Sequence, residues 1–518
     1  MEAQVATLSQ PFYAAYEKFV AITTHLSTEM SAETTHSELE AYLESDGREL
    51  LRLLLQDALD NHGTERLREV VRGADGVVRS HKRDHMATGY KSVFGAVRVA
   101  RTGYSQRGVS SLFPRDAQLN LPARGYSHRL QKRVAAKAAR LSFEAVAHDI
   151  ETETGVRLGK AQIEQIVSDA AQDFDAFYNQ PCSATLKQHT QTQPIQVLTF
   201  DGKGVVMRPE ALREATRKKV EARAQQAPHG FTRKEKSNRK RMAIVAGIYH
   251  IDRHRRSPHT VARQFAPVRL VPSEPQTPPK PVGKKLWASL QKPMKEVIET
   301  TFAEALRRDP ERQAEWVVLV DGDATQIGYI EKAAKAHGVS VVMILDIIHV
   351  LEYLWKAAKV RFGSDDPQGA SWVAEQIERL LPGQVRLVVR SLRRWATLQR
   401  LSPKQREPID QCATYLANHV PYLNYPDYLA KGYPIATGVI EGACRYRVKD
   451  RMAITGARWG LEGGEAVLKL RALVINSDFE AYWAFHETQE YQRNHQAKFA
   501  EISSVRIPLK LMSGGKNG

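Results

Sequence analysis

At 518 residues the chain is too long for one ordinary domain, and its 42% apolar content is ample for folded cores. A formal charge of +17 favours a polyanionic partner, since clustered Lys and Arg gain by releasing counterions from phosphates, but charge alone does not separate DNA from RNA or an acidic membrane. Three cysteines (Cys182, Cys412, Cys444) without a CxxC spacing argue against a disulfide framework or zinc finger, and with no leader and no membrane-length apolar run the expectation is a soluble, cytoplasmic, nucleoid-associated protein with no membrane partner.

From Pro11 to about Asn61 the pattern is mostly helical, with Leu39, Leu43, Leu50 and Leu54 spaced to share one side, which suits packing or self-association. From Lys91 to Tyr104 the period changes, and Val93 to Arg101 reads as part of a hairpin. Ser127 to Phe177 reads as three helices. Leu130, Val134 and Ala138 suit the first, Ser142 caps a second holding Val146 and Ile150, and Gly155 precedes a third through Ile163 and Ile166. That is a helix-turn-helix pattern, although three short helices also occur in any α domain; Lys160 is a candidate DNA contact on the third.

Pro194 to Phe200 makes a buried strand, and Asp201-Gly202 marks where that strand is expected to leave the sheet. Open α/β sheets place ligands just outside the carboxyl ends of their strands. The same grammar recurs where Trp316–Val320 runs into Asp321-Gly322-Asp323, and where Val341–Leu345 runs into Asp346 with His349 beyond it. Between the first two acids, Met207 to Arg241 holds twelve Lys or Arg against four Glu, a basic insertion beside a candidate catalytic Asp. Met242–Tyr249 reads as a second strand and Thr260–Phe265 as a third. Six prolines between Pro267 and Pro281 form a stiff connector, and Trp287–Arg308 an amphipathic helix interrupted early by Pro293.

After His349 the chain reads as helical. Leu351, Leu354, Trp355 and Ala358 give one inward face, and Trp372 to Ala430 forms an α-helical insertion. Gly438 to Met452 is a further helix in which Ile440, Cys444, Val448 and Met452 face a core, while Glu441, Arg445 and Lys449 form the adjacent stripe. The tail Ser513–Gly518 is expected to be disordered.

Strand-end aspartates joined by a helix glutamate suit two-metal phosphodiester chemistry, which needs carboxylates on separate elements and takes Mg²⁺, with Mn²⁺ as a substitute. Asp201, Asp321 and Glu441 are the candidate catalytic and metal-holding residues, with Asp323 the competitor for the second position. Asp346 and His349 are auxiliary candidates, equally explained as a helix cap and a core histidine. Arg445, Lys449 and Arg451 could contact DNA or form a solvated stripe. The joint order, strand-Asp, hairpin, helix, strand-Asp, strand, helical insertion and helix-Glu, is that of an RNase H-like nuclease core.

On Asp201-Gly202-Lys203-Gly204-Val205, Lys285–Leu290, Asp321-Gly322-Asp323, Asp346 to Trp355, and Gly438 to Arg445 with Val448 to Met452, the chain resembles bacterial insertion-sequence transposases of the DDE type, in the ISKra-type group, and more distantly Mutator-like transposases. The resemblance covers most of residues 90 to 480. It implies a triad of Asp201, Asp321 and Glu441, with Asp346 and His349 matching the Asp/Cys-x-x-His element after the second acid. It also implies an α/β fold: an RNase H-like core with an α-helical insertion, preceded by a mainly helical DNA-binding region. The expected organisation is a helical segment over 1–90, a hairpin and helix-turn-helix over 91–180, the first part of the core over 190–362 with its basic insertion at 207–241, the helical insertion over 363–432, the last part of the core over 433–485 and a tail over 486–518. The implied activity is cleavage at element ends that frees a 3′-hydroxyl, which then attacks target DNA. The partners would be double-stranded DNA and at least one further copy of the chain. A transposase-derived DNA-binding protein and a nuclease without strand transfer are the alternatives.

Overall fold

The computed structural model describes residues 12–29, 33–61, 69–180, 193–226, 239–265, 277–364, 366–436 and 438–500. The tail at 513–518, residues 227–238 of the basic stretch and the prolines between 267 and 276 lie outside the described residues. Helices and β-sheets are mixed, and the chain divides into two compact units: Met1–Tyr178 with Ser477–Gly518, and Asn179–Asn476. No described helix is long and apolar enough to cross a membrane.

In the first unit, α1 (Tyr13–Thr24) packs on α2 (His36–Asn61), where Lys18 pairs with Asp46 and His25, just past α1, meets the Tyr42 ring at a 35° tilt. No residue of α2 is fully buried, and Leu43 and Leu54 of the expected inward stripe are exposed. The contacts fall instead on Leu55 and Leu59, which pack against Tyr90, Val97 and Val99 of a hairpin. That hairpin is longer than its sequence signal, joining β1 (His81–Ser92) to β2 (Gly95–Gln106), with β3 (Val109–Leu112) completing the sheet.

Three helices follow: α3 (His128–Ala138), α4 (Phe143–Thr154) and α5 (Lys160–Ala170). Ser127 and Ser142 cap the first two by accepting from the Leu130 and Ala145 N–H groups, each cap worth about 1 kcal/mol. Gly155, at φ 69°, ends α4 in the left-handed conformation that glycine takes without strain. Leu130, Val134, Val146, Ile150, Ile163 and Ile166 are all buried, as their spacing predicts. The Phe479–Asn494 helix belongs to this unit, and its His486 and Arg493 both donate to the buried Asp173 carboxylate.

The second unit is built on a five-stranded sheet. Along the chain its strands are β4 (Ile195–Val206), β5 (Lys240–Ile251), β6 (Val282–Ser289), β7 (Glu315–Val320) and β8 (Val341–Leu345); across the sheet they run β8-β7-β4-β5-β6. The β4-β5-β6 part is antiparallel, and β7 and β8 add parallel to β4.

Three expectations are corrected here. The third strand is Val282–Ser289, not Thr260–Phe265. Ser257 caps a short helix, α6 (Pro258–Ala262), with Pro258 preset for its first turn, so local capping outweighs the β-branched residues that follow. The helix expected from Trp287 starts after Pro293, at α7 (Met294–Arg308), and Trp287 lies in the strand. The last correction concerns Asp201. Its strand does not end there: pairing with β7 ends at Thr199, but pairing with β5 continues to Val206 opposite Lys240. Asp201-Gly202 is therefore mid-strand, because the distant partner Lys240–Val245 keeps its ladder satisfied.

The edge strand β6 is closed from outside the sheet. Asn476 accepts from the Leu286 N–H and donates to the Leu286 carbonyl, and Glu465 on α14 (Leu461–Ile475) accepts from Ser289 Oγ and from the Leu290 and Gln291 N–H groups. On the other edge, α9 (Ile347–Phe362) leads into the helical insertion with α10 (Pro367–Leu380), α11 (Val385–Leu398) and α12 (Pro403–Asn418). Ile377, Leu392 and Leu416 of the insertion share one apolar core with Val317, Leu319 and Ile344 of the sheet.

Candidate active site

Strand register places the acids. Thr199 pairs with Leu319, so Asp201 and Asp321 stand two residues further along neighbouring parallel strands. Leu345 pairs with Val320, and the next residue, Asp346, donates its N–H to the Val320 carbonyl. Three aspartates thus stand in one row across β4, β7 and β8.

They differ in environment. Asp201 and Asp321 are half-buried and Asp346 is fully buried. Asp346 caps α9, accepting from the Ile348 N–H at 2.9 Å, which is the structural role its sequence position allowed. His349, 27% exposed, lies 4.0 Å from the Asp346 carboxylate and 4.0 Å from that of Glu352. Asp323 is exposed and caps α8 (Ala324–Ala336) through the Gln326 N–H at 2.8 Å, so its oxygens serve the helix end.

Asp321 carries the electrostatic signature of the site. Burial holds its carboxyl above the ordinary range, and the carboxylates of Asp323 and Asp201 add to that; the Asp323 N–H and His349 oppose it. Like charges are therefore gathered where a cation would relieve them.

The backbone around Asp321 is held from the helical insertion. Tyr415 Oη donates to the Asp321 carbonyl at 2.8 Å, and His419, the residue that ends α12, meets the Gly322 carbonyl at 2.9 Å through Nε2. Gly322 has φ 93°, and a Cβ there would sit 2.8 Å from the Tyr415 ring and 3.0 Å from His419. Only glycine satisfies both constraints. Tyr415 in turn stacks on Tyr353 of α9 at 4.0 Å, and Tyr425 Oη donates to the Leu345 carbonyl at the end of β8.

The glutamate helix α13 (Gly438–Ala443) lies against β4 and β5. At Gly247 of β5, beneath this helix, a Cβ would sit 2.5 Å from Leu286 and 3.2 Å from Thr199, so the side chains of the neighbouring strands occupy its place. Ile440, Cys444, Val448 and Met452 are all buried, as their i+4 spacing predicts. Cys444 Sγ donates to Asp201 Oδ2 at 3.0 Å, tying this segment to the first acid. Cys444–Lys449 winds as a π-helix, a form that recurs at functional sites. The side chains of Glu441 and Arg445 lie outside the described residues.

The candidate DNA contacts separate. Lys449 is exposed. Lys160, at the first turn of α5 in the other unit, is 65% exposed and pairs with Glu144 at 3.2 Å. Arg451 is corrected: it is 1% exposed, lies over the Trp459 ring at 4.9 Å, and desolvation pushes its guanidinium down to about 10. Its long side chain fills the core rather than facing solvent.

Among the described residues no three His, Cys, Asp or Glu side chains converge closely enough to hold an ion. The donor chemistry nevertheless fits a hard cation, with two partly exposed carboxylates side by side, that of Asp321 raised by burial and further by the charges of Asp323 and Asp201. Sequence reasoning did not anticipate Cys444, Tyr415 and His419. The i,i+4 spacing of Tyr415 and His419 puts them on one helix side but gives no sign of what they face. No protein-family model matches the chain, and no curated protein matches it.

Proposed function

We propose that the protein is a DNA transposase of the DDE type, cutting phosphodiesters at element ends and joining the freed 3′-hydroxyl to target DNA. The observation that carries this reading is the placement of Asp201 and Asp321, each two residues beyond the last pair of the neighbouring strands β4 and β7, with the Glu441-bearing helix packed on the same sheet and the residue after it, Cys444, bonded to Asp201. The element order of the second unit supports an RNase H-like core: a three-stranded antiparallel stretch, two parallel strands, a helical insertion and a final acid-bearing helix.

Asp201, Asp321 and Glu441 would hold Mg²⁺ or Mn²⁺, which when bound supplies charge neutralisation at the scissile phosphate and activation of the attacking oxygen. The chain's own residues fix the geometry. Tyr415 and His419 hold the Asp321-Gly322 carbonyls so that the carboxylate keeps its place as charge builds. Cys444 orients Asp201 by occupying one of its oxygens. Lys449 offers a cation two turns beyond Glu441 for the strand being cut. The three helices of the other unit would read the ends, and synapsis of two ends calls for at least a dimer.

The test is cleavage and joining of labelled DNA from the flanks of the coding sequence, with Mg²⁺ or Mn²⁺, beside Asp201→Ala and Asp321→Asn. Joined products that both variants lose are expected. Cleavage without joining points to a nuclease instead, and binding without cleavage to a non-catalytic DNA-binding protein.

A further inference from the structure

The insertion helix α11 carries Arg386, Arg390, Arg393 and Arg394 and not one acidic residue between Val385 and Leu398. All four arginines are exposed, and together with Val389 and Val420 they line a groove of about 720 Å³. Among the described residues none of the four pairs with a carboxylate. Their neighbours do: Arg379 pairs with Glu375, and Arg406 with Asp410.

Such an arrangement costs stability on its own. Arg386/Arg390 and Arg390/Arg394 are i,i+4 pairs and Arg390/Arg393 an i,i+3 pair, so like charges face one another along one side of the helix. The buried side of α11, Val385, Val388, Leu392 and Ala396, fixes that orientation by packing in the core shared with the sheet. The charged side is thus held outward and unneutralised.

We infer that this arginine face binds the phosphate backbone of duplex DNA, a contact separate from the candidate active-site acids. From Arg386 to Arg394 the helix rises about 12 Å, which matches roughly three to four nucleotides of axial rise along one strand. Guanidinium groups in a row, not a ring, suit a linear array of phosphates, and the planar fork of arginine grips each one through two N–H donors. The inference rests on the proposed activity only in taking DNA as the polyanion.

The experiment measures binding of the full-length protein to a short labelled duplex of arbitrary sequence across a salt series without divalent metal. The slope of log affinity against log salt falls by about one for each phosphate-contacting cation removed, so the Arg390→Gln/Arg394→Gln variant should lose about two from its slope and bind at least tenfold more weakly at low salt. Arg390→Lys/Arg394→Lys should keep most of the slope, and an unchanged melting curve shows that the Gln variant is folded. A slope equal to wild type, absence of binding by the wild-type protein, or loss of polyglutamate binding with DNA binding intact would each overturn the inference. Failure of the proposed activity looks different: the wild-type protein never cleaves, yet the slope still depends on the arginines.

Discussion

Replacing Tyr415 with Phe isolates one atom's contribution to the candidate active site. The ring stays, with its stack on Tyr353 at 4.0 Å and its contact with Gly322; only the hydroxyl that donates to the Asp321 carbonyl at 2.8 Å is lost. Tyr415 is 8% exposed, so water does not readily replace the donor. An ordinary hydrogen bond contributes about 1 kcal/mol net, and a buried acceptor left unsatisfied costs about 1–3 kcal/mol. Unfolding of the full-length protein, followed by circular dichroism, should therefore show the transition of the sheet unit lowered by roughly 2–4 °C per kcal/mol. His419 holds the adjacent carbonyl, so Tyr415→Phe and His419→Ala should be non-additive by about 0.5 kcal/mol or more in a double-mutant cycle. In the cleavage assay the metal concentration giving half-maximal rate should rise several-fold, because Asp321 is less well placed before metal binds. A Tyr415→Phe protein with wild-type melting and wild-type metal dependence would refute the idea that the insertion holds this strand end.

Asp321→Asn should raise the melting temperature of metal-free protein at pH 7. The folded carboxyl is held above its ordinary range by burial and by neighbouring carboxylates, so its ionisation costs the fold as pH rises through and beyond about 4, and the amide avoids that cost. The advantage should vanish below about pH 4, and Mg²⁺ should stabilise the wild type more than the variant; a wild type that melts above the Asp321→Asn variant without metal at pH 7 contradicts this. Arg451→Ala should lower stability by about 2–4 kcal/mol in chemical denaturation, through the cavity left over Trp459, and leave the salt slope of DNA binding unchanged. Lys449→Ala should do the reverse, lowering the slope by about one with little effect on unfolding. Glu465→Gln should cost about 2–4 kcal/mol, since the amide cannot replace both carboxylate oxygens that accept from Ser289, Leu290 and Gln291; a midpoint within experimental error of wild type would show these bonds to be dispensable.

What was legible in the sequence was local. Ser127, Ser142 and Gly155 punctuate their helices by backbone chemistry that acts within four residues, and the apolar spacing between them has a single helical solution. Ile440, Cys444, Val448 and Met452 were readable for the same reason. What failed depended on partners far away in sequence. Asp201-Gly202 carries the signature of a turn, yet residues 240–245 hold it in a ladder. The edge strand Val282–Ser289 has lysines at 284 and 285 and follows a proline-rich stretch, and it is a strand because β5 on one side and Asn476 on the other satisfy its backbone. Of the candidate site, the strand ends before Asp321 and Asp346 followed from strand grammar and the mid-strand place of Asp201 did not, whereas the contacts from Cys444, Tyr415 and His419 cross 243, 94 and 97 residues of sequence.

The insertion's reach back to the strand ends bears on how such a protein changes over time. Residues 367–418 look like a cassette, a run of helices set between a strand and the glutamate segment. The cassette shares its apolar core with the sheet, and its Tyr415 and His419 pin the loop after β7. A replacement of equal length that folded well by itself would leave two carbonyls and a glycine in a left-handed turn without support. Variation in this region is therefore constrained for the fold on the tyrosine side of α12, and transplanting the helices between relatives should succeed only when Gly322 and its two partners travel together.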